Sequence, residues 1–329
     1  MIREGQSGEP PVRLMRKSRA WAVPFLALAV FLVPLFPGAA TPAEARDVRA
    51  GLFSLTLCDA RDVQGAPTPA ATPVPEKYTF KNLARDFLQD AGQIWSYPAH
   101  IKSRDILPMA GLAVITGFLI ANDEDISSSV RIYRDSHRWV RAVSPVITQM
   151  GSWGAWGTAG VFLGVGLITG DRQSTETAVL AANAMLQSTI LVNFLKGLTG
   201  RQRPYVADGV DHWSGPVGFV KMFEKGNAGR YDSFPSAHTI TAFSLATVVA
   251  MQYHDSVWVP ILSYTVATGV GLSRLTEGKH WLSDVLVGGI LGHLVGRLVV
   301  RNHRRRYRLT PVAGLDHGTP SFALSLARE

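Results

Sequence analysis

The fold class this sequence predicts is all-α: a helical bundle with six apolar core helices. Three observations predict it. Six apolar segments follow one another through the body, at 106–121, 153–170, 178–195, 239–253, 257–272 and 285–300. No stretch of that body alternates apolar with polar residues, the period-two pattern of a half-buried strand. Just upstream, residues 81–95 repeat apolar side chains at helical spacing, so an amphipathic helix leads into the bundle.

Composition narrows the class further. Of 329 residues, 47% are hydrophobic and 18% charged, which excludes bulk disorder. A single cysteine, Cys58, excludes an intramolecular disulfide framework. The 33 basic against 25 acidic residues give a net charge of +8, which fits an anionic partner.

The chain divides into four parts. In residues 1–45, Arg13, Arg16, Lys17 and Arg19 precede an apolar run at 21–36 and the triplet Ala43-Glu44-Ala45. That is the pattern of a secretory signal peptide. An uncleaved anchor helix interrupted by Pro24 and Pro34 is the alternative, and either one directs the chain into or across a membrane. The setting expected is a bacterial cell envelope. Residues 46–77, with Pro67, Pro69, Pro73 and Pro75, read as a linker. Residues 78–308 hold the bundle. In the tail, 309–329, residues 321–326 alternate and form either a short strand or a frayed end.

Whether the bundle spans a membrane is balanced on the sequence. A span needs about 20 apolar residues, and most of these runs are nearer 16, or roughly 24 Å. Asn183, Gln187, Asn193, His293 and Arg297 interrupt them, and mean hydropathy is only slightly positive. Against this, Gly288, Gly292 and Gly296 fall four apart, the small-residue spacing that lets helix backbones approach closely in membranes and in tight soluble contacts alike. If the last segment spans, Arg297, Arg301, Arg304, Arg305, Arg306 and Arg308 place its end in the cytoplasm. Lys196, His238 and His280 then face outward. Counting forward through 21–36 and 106–121 as spans gives the opposite side, so one N-terminal segment does not cross or the whole body is exported. The balance favours a membrane-embedded bundle over a soluble or peripheral periplasmic one.

Three short stretches carry chemistry. Lys196 and Arg203-Pro204 close the third apolar helix, Pro235-Ser236-Ala237-His238 opens the fourth, and Ser273-Arg274 with His280 and Asp284 bridges the last two. Alternating helix direction brings all three to one end of the bundle. Singly, each has an ordinary reading: solvated helix-end cations, an N-terminal histidine, a surface pair one turn apart. Together they make a kit for a tetrahedral oxyanion. Arginine forks grip phosphate oxygens and lysine adds a point charge. Ser236 and the N–H groups of Ala237 and His238 lie at a helix N-terminus, where unpaired donors favour anions. A histidine held in one tautomer attacks phosphorus, a carboxylate one turn away fixes that tautomer, and a second histidine protonates the leaving oxygen.

In order, Lys-x6-Arg-Pro, Pro-Ser-x-His and Ser-Arg-x5-His-x3-Asp resemble the three-part signature of the type-2 phosphatidic acid phosphatase family. That superfamily also holds bacterial acid phosphatases and vanadium haloperoxidases. The resemblance implies that Lys196, Arg203 and Arg274 hold phosphate with Ser236 and the Ala237 N–H. It implies that His280 is the nucleophile oriented by Asp284, and that His238 is the general acid. No cofactor and no metal are expected, since the three cations supply the charge. The expected partners are a lipid phosphate or small phosphate ester and a membrane, not nucleic acid. A vanadium-dependent haloperoxidase and a non-catalytic envelope protein are the rival readings. One position departs: alanine stands at Ala237 where the family usually has glycine.

Other features are given ordinary roles. Asp123-Glu124-Asp125 reads as a solvated helix end rather than a metal site, His293 as a core histidine, and Gly151, Gly154, Gly157 and Gly160 as packing glycines. The long loop 205–234, with His212, Trp213 and Phe219, is expected to cover the pocket.

Overall fold

The computed structural model describes residues 80–206, 213–221, 224, 226, 229–307, 309–316 and 319–326. The expected signal or anchor and the linker lie outside the described residues. Helix α1 (Phe80–Ser96) runs through a 3-10 turn (Tyr97–His100) into α2 (Ser103–Ser136), α3 (Arg138–Gln149), α4 (Trp153–Thr169) and α5 (Arg172–Thr199). After the short α6 (Val217–Lys221) come α7 (Ala237–Gln252), α8 (Trp258–Thr276) and α9 (Leu282–Arg306). The body is all-α. After it in the chain, β1 (Leu309–Asp316) and β2 (Thr319–Leu326) pair antiparallel as a hairpin, so the alternating residues of the tail do form a strand.

Each of the six apolar segments falls on its own helix, but three helices outrun their apolar cores. They are α2 with 34 residues, α5 with 28 and α9 with 25. These three are long and apolar enough to cross a membrane. The sequence reading did not foresee α3. Its twelve residues hold Pro145 and several polar groups, yet Val140, Ser144 and Thr148 recur every four positions and are buried. The core is therefore not drawn from the six apolar helices alone.

Two buried clusters fill the bundle. One joins Leu119 and Ile126 of α2 to Phe243 of α7, Tyr264 and Val270 of α8, and Val285 and Leu286 of α9. The other joins Ala155 and Ala159 of α4 to Leu180, Ala184 and Met185 of α5, with Val248 of α7 and Val295 and Val299 of α9. Helices α7 and α9 belong to both and form the central pair. Their closeness comes from glycine. A Cβ added at Gly288, Gly292 or Gly296 would meet the carbonyl oxygens of Ser236, Ile240 and Ser244 at less than 3.0 Å. Three glycines on one face of α9 thus seat it against three successive turns of α7. Among Gly151, Gly154, Gly157 and Gly160, the first two abut another helix: a Cβ would lie 2.8 Å from His238 O at Gly151 and 2.9 Å from Gln149 O at Gly154. Gly157 and Gly160 have open space there.

The outer faces are apolar. Leu107 of α2, Ile168 of α4 and Trp258 of α8 are 81%, 88% and 71% exposed. Of the apolar window in α2, 6% is buried inside the bundle. A girdle of this kind loses nothing in lipid and is costly in water, so the bundle is suited to embedding in a membrane.

Candidate active site

All three sequence stretches meet at one end of the bundle. Helix α5 stops at Gly200, whose left-handed φ of 53° ends the helix and turns the chain. Residues 201–203 then run beside 230–233, tied by Arg203 N–H to Arg230 O (3.1 Å) and Ser233 N–H to Arg201 O (3.0 Å). This pairing delivers the segment that opens α7. Across the central contact, α8 ends just after Arg274, and a turn with Gly278 at φ 65° leads to His280 and the start of α9.

The cations are brought together, and each has a carboxylate. Lys196 Nζ lies 3.3 Å from Asp232 Oδ2. Arg203 grips Asp232 with its fork, Nε to Oδ1 and Nη2 to Oδ2, both at 2.9 Å. Arg274 Nη1 reaches Glu277 Oε2 at 2.8 Å. Its Nε is buried and has no hydrogen-bond partner among the described residues. A buried guanidinium N–H without an acceptor is costly unless a ligand oxygen meets it.

Ser236 caps α7 at its N-terminus and is fully buried. Its hydroxyl oxygen accepts from Thr239 Oγ1 at 2.9 Å, which leaves its own O–H to donate. Ala237 is the first helical residue of α7. Alanine accepts that backbone without strain and keeps the N–H, so the special dihedral freedom of glycine is not needed here.

His280 is buried, and its Nδ1 lies 2.8 Å from the carbonyl oxygen of Ser233. A carbonyl only accepts, so Nδ1 carries the proton and Nε2 keeps the lone pair. Burial, then the charges of Arg203, Lys196 and Arg274, push its pKa well below the ordinary imidazole value, which keeps the ring neutral. Asp284 Oδ2 stands 3.4 Å from the same nitrogen. The expected carboxylate thus stands beside the imidazole, but the ring's shorter bond goes to the Ser233 backbone carbonyl. Asp284 accepts from Ser233 Oγ at 2.5 Å and from Trp281 N–H at 2.9 Å, and Ser233 in turn accepts from the ring. The other Asp284 oxygen, Oδ1, accepts from Arg201 Nη1 at 2.6 Å.

Arg201 escaped the sequence reading although it lies inside the first stretch. It is fully buried, bonded to Asp284, to Ser283 Oγ at 2.6 Å and to Asp123 Oδ2 at 2.8 Å. The rings of Trp213 and Trp281 lie 4.6 and 5.3 Å from its guanidinium carbon. Asp123 is therefore not a solvated helix end: it is 1% exposed and ion-paired, while Glu124 and Asp125 face out. Its neighbours hide this in the sequence, because the buried partner lies 78 residues away. Asp232, Ser233, Thr148 and Glu277 were likewise unforeseen. In the loop expected to cover the pocket, Trp213 packs on Arg201 and Phe234, while His212 lies outside the described residues. His293 sits apart from this site, its Nδ1 2.9 Å from Tyr264 Oη, as a core histidine should.

Comparison with known proteins matches the PAP2 superfamily model to residues 177–308, which include every motif residue. Decaprenylphosphoryl-5-phosphoribose phosphatase of Mycobacterium tuberculosis (strain ATCC 25618 / H37Rv) is 33% identical over 146 residues, covering 44% of this chain and 72% of that protein. The chain belongs to the PAP2 superfamily. Another relative, lipid A 1-phosphatase of Porphyromonas gingivalis, is 40% identical over 98 residues, or 26% of this chain and 22% of the relative. The match thus spans less than a quarter of that protein's length. The crystal structure of a transmembrane PAP2 type phosphatidylglycerolphosphate phosphatase from Bacillus subtilis aligns with 60% of this chain and 97% of its own, at 23% identity and a TM-score of 0.43.

Proposed function

We propose that this protein is a metal-independent phosphatase that hydrolyses lipid phosphomonoesters or pyrophosphates through a phosphohistidine on His280. The observation that carries the reading is the tautomer of His280: the Ser233 carbonyl commits the Nδ1 proton, and a neutral Nε2 is left among three cations. In the first step Nε2 attacks phosphorus. The ester P–O bond breaks, and its electron pair goes to the leaving oxygen, which takes a proton from His238. In the second step water gives a proton to His238 and attacks phosphorus, and the P–N bond breaks to release phosphate. Lys196, Arg203 and Arg274, the Ser236 hydroxyl and the Ala237 N–H hold the phosphoryl oxygens and stabilise the charge that builds there. Asp284 keeps Ser233, and through it the ring, in place.

A lipid substrate is favoured by the apolar girdle and by relatives named for lipid phosphates. The arginines at the end of α9 sit at the opposite end from the site, so a cytoplasmic arginine end puts the chemistry on the periplasmic face of a bacterial envelope. The test is phosphate release from phosphatidic acid, a polyprenyl pyrophosphate and nitrophenyl phosphate, with chelator present and with or without orthovanadate. Release that survives chelator and is blocked by vanadate is expected. Release that chelator abolishes, or none from any substrate, removes the proposal.

A further inference from the structure

Two cations of the phosphate cradle are already engaged by a side chain that the reaction above does not use. The Asp232 carboxylate meets the Arg203 fork at both oxygens and Lys196 at one, so it offers the two oxygens, and the negative charge, that a phosphoryl group would present. This is not a wandering surface contact. The pairing of 201–203 with 230–233 brings Asp232 to Arg203 through the backbone, and the next residue, Ser233, is the one that holds His280. Asp232 nevertheless keeps 20% of its side chain exposed, against 8% for Lys196, so it stands at the solvent side of the cradle. The two cations hold its carboxyl far below the usual carboxylate range, so it is ionised at any working pH.

We propose that Asp232 is a resident anion of the phosphate cradle: it occupies Arg203 and Lys196 between turnovers, must be displaced from the fork by the incoming phosphoryl group, and returns to expel product phosphate. The proposal rests on the phosphate-cradle reading given above. Its consequence is a weakened grip on free phosphate. If the cradle is open for only about a tenth of the time, its apparent affinity is about tenfold below its intrinsic one. Arg274 differs, since its partner Glu277 leaves Nε free for a ligand oxygen. One arginine is then always ready for phosphate while the other is released on demand.

The experiment measures binding of orthovanadate and of inorganic phosphate to the full chain in detergent, for wild type, Asp232→Asn, Asp232→Ser and Arg203→Ala. Thermal melting checks that each variant is folded. Both Asp232 variants are expected to bind the anions about tenfold more tightly than wild type. Arg203→Ala is expected to lose binding. Equal or weaker binding by folded Asp232 variants, with Arg203→Ala still defective, overturns the resident anion and leaves the cradle standing. If wild type and all the variants bind neither anion, the cradle reading itself falls and the resident anion with it.

Discussion

Each end of this bundle buries a cluster of charges, and the two clusters are built to opposite rules. At the end away from the motifs, Asp90 of α1 is fully buried. One of its oxygens accepts from Asn302 at 2.8 Å and Arg306 at 2.5 Å, the other from Asn183 at 2.9 Å. Nearby, Asp86 accepts from Tyr307 at 2.9 Å, and His303 lies 3.2 Å from Glu176. These groups fasten α1 to α5 and α9. At the motif end, donors exceed acceptors. Arg274 keeps a buried N–H without a hydrogen-bond partner among the described residues, Ser236 keeps a hydroxyl proton to give, and the first N–H groups of α7 point out of the helix. The saturated Asp90 carboxylate marks a fastening, although His303 Nε2 beside it makes no hydrogen bond among the described residues, and the surplus of donors around Arg274 and Ser236 marks a place for an anion. Charge density alone would not separate the two.

Arg201 shows that the motif end has a fastening of its own. It stands behind His280 rather than before it, with Asp123 and Asp284 on either side. Opposite charges at such distances in a dry interior are stabilising only while both partners remain. The motif end is therefore layered: a saturated layer below and an open one above, with Ser233 and Asp284 joining them.

This contrast can be broken at four points. The largest effect is expected for His280→Ala, which should lower turnover by about 10⁴-fold or more and abolish trapping of a phosphoenzyme. Thermal melting in detergent should fall as well, because deleting this buried side chain leaves a cavity and an unpaired Ser233 carbonyl, so turnover is read per folded molecule. A variant that still traps phosphate covalently would remove His280 from its role. Next, His238→Ala should slow hydrolysis of an alkyl phosphate by about 10²–10⁴-fold and that of nitrophenyl phosphate far less, since the latter's leaving group needs little protonation. Equal losses on both substrates would show that His238 is not the acid.

At the far end the order of effects should invert. Asp90→Ala leaves Arg306, Asn183 and Asn302 without their shared acceptor and should cost about 3 kcal/mol of stability. Rates per folded molecule should match wild type, read by melting and by active-site titration with vanadate. The smallest effect concerns pH. Protonation would remove the attacking lone pair of His280, so activity is lost as pH falls through its pKa. That pKa lies well below the ordinary 6.5, so the acid limb due to His280 in a kcat/KM profile should fall below pH 6.5. An acid limb assigned to His280 at or above 6.5 would contradict its burial among three cations.

Much of this was legible in the sequence, for reasons that differ by residue. Lys196, Arg203, Ser236, His238, Arg274 and His280 lie within a few residues of a helix end, and antiparallel alternation is enough to gather such ends on one side. The glycine stripe of α9 was legible too, since spacing by four puts Gly288, Gly292 and Gly296 on one face. What it packs against was not. Arg201 and Asp123 failed to stand out because an ion pair between α2 and the loop after α5 leaves no local periodicity. Helix α3 was missed because its buried positions are Ser144 and Thr148 as much as Val140, and hydroxyls do not register as apolar.

By itself the sequence determined the helical body and the family, and it named a candidate set of site side chains. Helix periodicity is a local property, and the three motifs are contiguous in the chain. Only the tertiary structure decided how those side chains are partnered. It aimed the His280 Nδ1–H at the Ser233 carbonyl, with Asp284 3.4 Å from the same nitrogen. It also drew Asp232 into the Arg203 fork and left Arg274 Nε without a hydrogen-bond partner among the described residues. Hydrogen-bond partners are settled by distances between chain segments far apart in sequence, and a residue's neighbours along the chain carry no record of them.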